Sequence, residues 1–261
     1  MDELRNLERW DQRCLCLIQD MQLKTPSGQQ KNKSNIFCET ESGEMYLVDF
    51  PRLEGQMPDL QSGSTELMLP TNAVVDRDNY EIRVTEMLPQ TRPSALFHSR
   101  RELAQVEGTL SCLVVRVEAS DASTTRSEKE LSNSIFGNDQ SNPQTINMQS
   151  QFKNCSHGKL NFIEADDRNG SFGRNIRNGA TTVYVDLPTS GGETLMANAI
   201  TNALNSVFEV ERPPELADHI LYCLPPGTMD GVAYAYINSW SSVYNDEWCN
   251  MLSSTMHEIG K

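Results

Sequence analysis

Residues 110–117 read Leu-Ser-Cys-Leu-Val-Val-Arg-Val, a nearly continuous apolar run. A run this short and this rich in valine reads as a strand buried on both faces. Beyond it, helical and strand-like patterns alternate. Residues 125–136 suit a helix with Leu131, Ile135 and Phe136 on one side, and residues 158–164 and 182–187 are strand-like. Residues 194–208 place Leu195, Met196, Ala199, Ile200, Ala203, Leu204, Val207 and Phe208 along the stripe of an amphipathic helix packed on a sheet. A core strand over 219–224 stops at Pro225-Pro226-Gly227, and residues 232–237 alternate small with aromatic, as a half-exposed strand would. This alternation predicts an α/β layer domain over 108–261.

The N-terminal part has a different texture. Short apolar or alternating runs at 14–23, 36–39, 45–50, 66–69 and 80–84 are separated by Gly, Pro, Asn and Asp clusters, which predicts a small sheet or barrel over 1–88. Residues 89–107 contain Pro89, Pro93 and Arg100-Arg101 and read as an exposed linker, open to proteolytic trimming at the arginine pair.

Charge and length limit the partners. The net charge of −14 argues against a nucleic-acid backbone, which an acidic surface repels. No apolar run approaches the ~20 residues of a membrane span. The start of the chain is charged through Arg13, and the apolar run 14–18 is shorter than a signal-peptide core. Either the protein is intracellular or the chain lacks its true start. Seven cysteines, at 14, 16, 38, 112, 155, 223 and 249, allow up to three disulfides with one left over. Cys14 and Cys16 share one face of a predicted strand; for these and Cys38 a disulfide or buried-thiol role is expected over a zinc-capping one. Cys223 and Cys249 are candidates for structural disulfides with partners unassigned. Sequons at Asn32, Asn154 and Asn169 are possible glycan acceptors.

The chemistry-bearing text is His257-Glu258-Ile259-Gly260-Lys261. On a helix, His-Glu-x-x-His puts two imidazoles on one face for one zinc ion, with the glutamate as general base on a metal-bound water. Here His257 and Glu258 are present and Lys261 stands at the second histidine position. An ammonium has no lone pair to give a metal. The helix is expected to start near Asn245-Asp246, with Trp248, Met251, Leu252, Met256 and Ile259 toward the core and His257 beside Ser253 and Ser254. Of the remaining histidines, His219 reads as partly buried and hydrogen-bonded and His157 as a surface residue; His98 lies in the linker. Asp166-Asp167 reads as a solvated turn.

Five phrases in this order resemble the gametolysin-type zinc metallopeptidases of algae, a metzincin branch. They are Leu113-Val-Val-Arg-Val-Glu-Ala-Ser-Asp-Ala-Ser-Thr-Thr125, Cys223-Leu-Pro-Pro-Gly-Thr228, Ala233-Tyr-Ala-Tyr-Ile-Asn-Ser-Trp240, Val243-Tyr-Asn-Asp-Glu-Trp-Cys249 and Met256-His-Glu-Ile-Gly260. The resemblance covers a little over half of the chain. It implies a metzincin-like catalytic half-domain with a mixed sheet and an active-site helix, preceded by a β-rich pro-region. It also implies a secreted endopeptidase acting on extracellular-matrix or cell-wall proteins, with zinc as cofactor. Position by position, His257 matches the first zinc ligand and Glu258 the general base, and Lys261 departs from the pattern. Ala233, Tyr234, Ala235 and Tyr236 would border the substrate cleft, where a peptide adds as an extra strand. Two explanations fit the departure: a chain cut short, which is the one expected here, or a degenerate relative kept for binding. In either case no stoichiometric zinc and no peptide hydrolysis are expected of this chain.

Overall fold

The computed structural model describes residues 13–24, 30–49, 60–70, 73–84, 90–93, 107–141, 145–165 and 175–261. They form two units, one spanning Met1–Leu103 with Tyr236–Asn238, the other Ala104–Ala235 with Ser239–Lys261.

The first unit is a seven-stranded sheet. Its strands are β1 (Arg13–Lys24), β2 (Gln30–Glu39), β3 (Met45–Asp49), β4 (Thr65–Met68), β5 (Val74–Asp76), β6 (Glu81–Arg83) and β7 (Gln90–Pro93), in the order β5-β6-β3-β2-β1-β4-β7. All neighbours are antiparallel except β3 and β6. The β1–β2 ladder runs from Leu15 opposite Glu39 to Lys24 opposite Gln30. One buried cluster gathers Cys14, Cys16, Cys38, Tyr46, Val48, Leu67, Leu69, Ile82 and Val84. Leu15 and Leu17, which alternate with the cysteines, are buried as well, so the start of β1 is covered on both faces. A disulfide joins Cys14 to Cys38. The linker reading of 89–107 changes at its start, because Gln90–Pro93 is a strand paired with β4. It is the terminal strand, where a proline removes no ladder bond that the sheet needs.

The second unit is a mixed α/β layer structure, as the alternation predicts. Its elements are β8 (Gly108–Glu118), α1 (Glu128–Phe136), α2 (Met148–Cys155), β9 (Leu160–Glu164), β10 (Ala180–Tyr184), α3 (Glu193–Phe208), β11 (His219–Leu224), β12 (Ala233–Ala235), β13 (Ser241–Asn245) and α4 (Leu252–Ile259). The sheet order is β10-β8-β11-β13-β12, and β9 pairs with the first part of β8. Every pair is parallel except β12 with β13.

Both faces of β8 are buried from Cys112 to Val115. Cys112 and Val114 join Leu221, Cys223 and Tyr244 in a cluster with Leu131, Ile135 and Phe136 of α1 and Met148 of α2, against which Leu252, Met256 and Ile259 of α4 also pack. On the opposite face Tyr222 meets α3, its hydroxyl 3.0 Å from Thr201 Oγ1. Helices therefore lie on both sides of the sheet, which is why 110–117 shows no polar face.

Local signals start each of the first two helices. Ser127 caps α1 in a capping box with Glu130, and Asn147 caps α2 with Ser150. Among the described residues no helix is long and apolar enough to cross a membrane.

Candidate functional site

The His-Glu pair sits on α4, whose placement is fixed before the helix begins. β13 ends at Asn245, and a 3-10 turn over Asp246–Asn250 leads to α4 at Leu252. The expected start at Asn245-Asp246 is therefore corrected. Asp246 has φ 42° and its carboxylate accepts from the Thr125 amide at 2.8 Å and from the Thr125 hydroxyl at 3.0 Å. Its cap-type chemistry ties two loops together rather than opening the helix. Cys249 in that turn is disulfide-bonded to Cys223 at the end of β11, with Cα atoms 5.5 Å apart. The two cysteines whose partners the sequence leaves open are thus each other's partner. Of the expected apolar stripe, Leu252, Met256 and Ile259 face the core, while Met251 is exposed.

His257 and Glu258 leave α4 in different directions. The imidazole is exposed, with 70% of its side chain accessible, and Glu258 is buried. Their closest approach is 3.9 Å, from His257 Nε2 to Glu258 Oε1. Lys261 turns back onto the same carboxylate, Nζ 2.7 Å from Glu258 Oε2. The contact is an ion pair by distance, but its angles make no hydrogen bond. Beneath lies Tyr244, fully buried, and burial pushes its phenol well above the usual range. The nearby Glu258 carboxylate adds to that rise, and the Ser242 hydroxyl opposes it. Ser242 is itself buried, its Oγ 3.0 Å from Nε2 of His219.

The remaining candidates separate. His219 is buried and bonded to Ser242, and His157 is exposed in a turn at φ 55°. His98, Arg100-Arg101 and Asp166-Asp167 lie outside the described residues. Cys112 is a buried free thiol, and burial raises it far above the thiol range. Ala233, Tyr234 and Ala235 form β12, which ends the sheet order and packs near α4. The strand is shorter than expected and less exposed: Tyr234 and Ala235 are buried. Tyr236 falls outside β12 and belongs to the first unit, its ring edge-on to Phe37 with centroids 5.0 Å apart. A surface depression of about 460 Å3 lies at the start of α1, lined by Arg116, Thr125, Ser127, Glu128, Lys129, Glu130 and Thr182. It contains neither His257 nor Glu258, and the capping box already uses the α1 start.

A catalytic zinc needs about three protein donors and an open position. Among the described residues no group of three or more His, Cys, Asp or Glu side chains could hold a metal ion. His257 is one donor facing solvent, and Glu258 is engaged by an ammonium. The residues present do not fit that metal. The pairing of Glu258 with Lys261 is what motif reading missed, although the three-residue spacing on a helix signals it. No family model, curated protein or solved structure matches the chain.

Proposed function

We propose that the second unit is the scaffold of a gametolysin-type zinc endopeptidase, a secreted enzyme class acting on extracellular-matrix or cell-wall proteins. His257 stands at its first-ligand position and Glu258 at its general-base position. The observation that carries this reading is the arrangement around α4. A helix bearing the His-Glu pair packs beside β12, an antiparallel strand that ends an otherwise parallel sheet. The end of a sheet order is where an extended peptide can add by main-chain hydrogen bonds. Two disulfides, Cys14–Cys38 and Cys223–Cys249, favour an oxidising compartment.

Among the described residues the donors beside the pair do not fit a catalytic zinc, His257 being one exposed imidazole and Glu258 being met by Lys261. A second reading comes from the ion pair: the unit is a non-catalytic binding module that holds peptide at β12. The Glu258–Lys261 contact favours it, since the ammonium stands 2.7 Å from Glu258 Oε2, on the carboxylate that the peptidase reading needs unencumbered. Incubation of the intact chain and zinc with fluorescent gelatin and with labelled extended peptides tests both readings. Binding without cleavage supports the module, cleavage abolished by Glu258→Gln supports the peptidase, and neither binding nor cleavage refutes both.

A further inference from the structure

Three cysteines crowd one patch of the first unit. Cys14 and Cys16 are two residues apart on β1, so their side chains leave the same face. Cys38 of β2 stands directly opposite Cys16 in the ladder and is bonded to Cys14, with Cα atoms 5.3 Å apart. All three are buried in one cluster, and Cys16 is a free thiol. Directly opposed residues of an antiparallel ladder have Cα atoms about 4.5–5.5 Å apart. A disulfide accepts about 4.4–6.8 Å. Cys38 therefore has two partners within bonding reach and is bonded to one.

We infer that Cys38 is the shared sulfur of a thiol–disulfide exchange centre in which Cys16 displaces Cys14. The Cys16 thiol gives up its proton, and the thiolate attacks Sγ of Cys38. The Cys16–Cys38 bond forms as the Cys14–Cys38 bond breaks, and the electron pair leaves on Cys14, which takes up a proton. One thiol and one disulfide enter and leave, so the step needs no oxidant or reductant. Its product moves the free thiol from Cys16, fully enclosed inside the ladder, to Cys14, the second residue of β1 and 5% exposed. The alternative bond also lies within the paired register rather than at its end, so β1 and β2 stay clamped in either form.

The test is a thiol count on the whole chain. Cys14→Ser, refolded in air, denatured in acid and alkylated, should show two reactive thiols, Cys112 and Cys155, because Cys16 and Cys38 pair. Four reactive thiols, with Cys16 and Cys38 among them, would overturn the exchange centre. Should that variant not fold, the wild-type chain decides. After incubation in a glutathione buffer, acid trapping and alkylation, fragmentation is expected to find label on Cys14 in part of the molecules. Label on Cys16 alone in every molecule would refute the inference. Cys16→Ser, which keeps the Cys14–Cys38 bond and cannot exchange, is the control in both arms.

Discussion

Lys261 Nζ lies 2.7 Å from Glu258 Oε2, so the lysine at the motif's second histidine position neutralises the motif's own glutamate. Glu258 is 6% exposed, and taking a carboxylate out of water is costly unless a cation accompanies it. Lys261 thus supplies a counter-ion to Glu258, and an ammonium has no lone pair to offer a metal at that position.

Lys261→Met should lower stability by about 1–3 kcal/mol, because it strands a buried carboxylate. Adding Glu258→Gln should recover most of that loss. Urea unfolding of the two single variants and the double variant reads the coupling. Simple additivity would show that the pair does not interact.

The Cys223–Cys249 bond ties the end of β11 to the turn that launches α4. Replacing both cysteines with serine should cost about 2–4 kcal/mol in the second unit. A melting curve indistinguishable from the wild type would contradict this placement.

Alkaline pH should destabilise the chain. Burial raises the Tyr244 phenol and the Cys112 thiol, and pushes the Cys16 thiol up to about 12. Each group stays protonated in the folded state at a pH where the unfolded chain has ionised. The unfolded state then holds fewer protons, so stability is full below the ordinary thiol and phenol values and falls as pH rises from about 9 to 12. Tyr244→Phe should flatten the upper part of that fall. An identical slope in the variant, from unfolding at stepped pH, would count against the burial of this phenol.

Gly179 has φ 72°, and a Cβ there would stand 2.5 Å from Cε2 of Phe136. Gly179→Ala should therefore destabilise by about 1–3 kcal/mol through strain and overpacking. Gly179→Ala combined with Phe136→Leu should lose less than the two separate effects together. Strict additivity in chemical unfolding would argue that the alanine does not meet the ring.

Much of the second unit is legible in the sequence because its signals are local. Residues 110–117 show β8 by an unbroken apolar run, and 194–208 show α3 by its stripe; both form with small boundary shifts. What escapes is set by distant contacts. Helix α2 is only two turns long, and its apolar face is just Met148, buried, and Phe152, which meets Phe162 of β9 with centroids 4.9 Å apart. Strand β7 hides behind its prolines because it pairs at a sheet edge. The disulfide partners depend on which strands become neighbours, which spacing does not specify. At the candidate site, the placement of His257 and Glu258 on a helix is legible from the sequence. Their divergence is not, because it depends on which side of α4 the sheet covers and on where Lys261 folds back.

Titration of zinc into the wild-type chain and into Lys261→His, read by calorimetry, tests the central claim most directly. The wild type should show no stoichiometric binding, and the variant, with one imidazole in the last turn of α4 and a second four residues on, just past its C-cap, should bind at least about tenfold more tightly. One firmly bound zinc per wild-type chain, or equal affinity in the two proteins, would contradict the claim that Lys261 is what keeps the His257–Glu258 pair from metal.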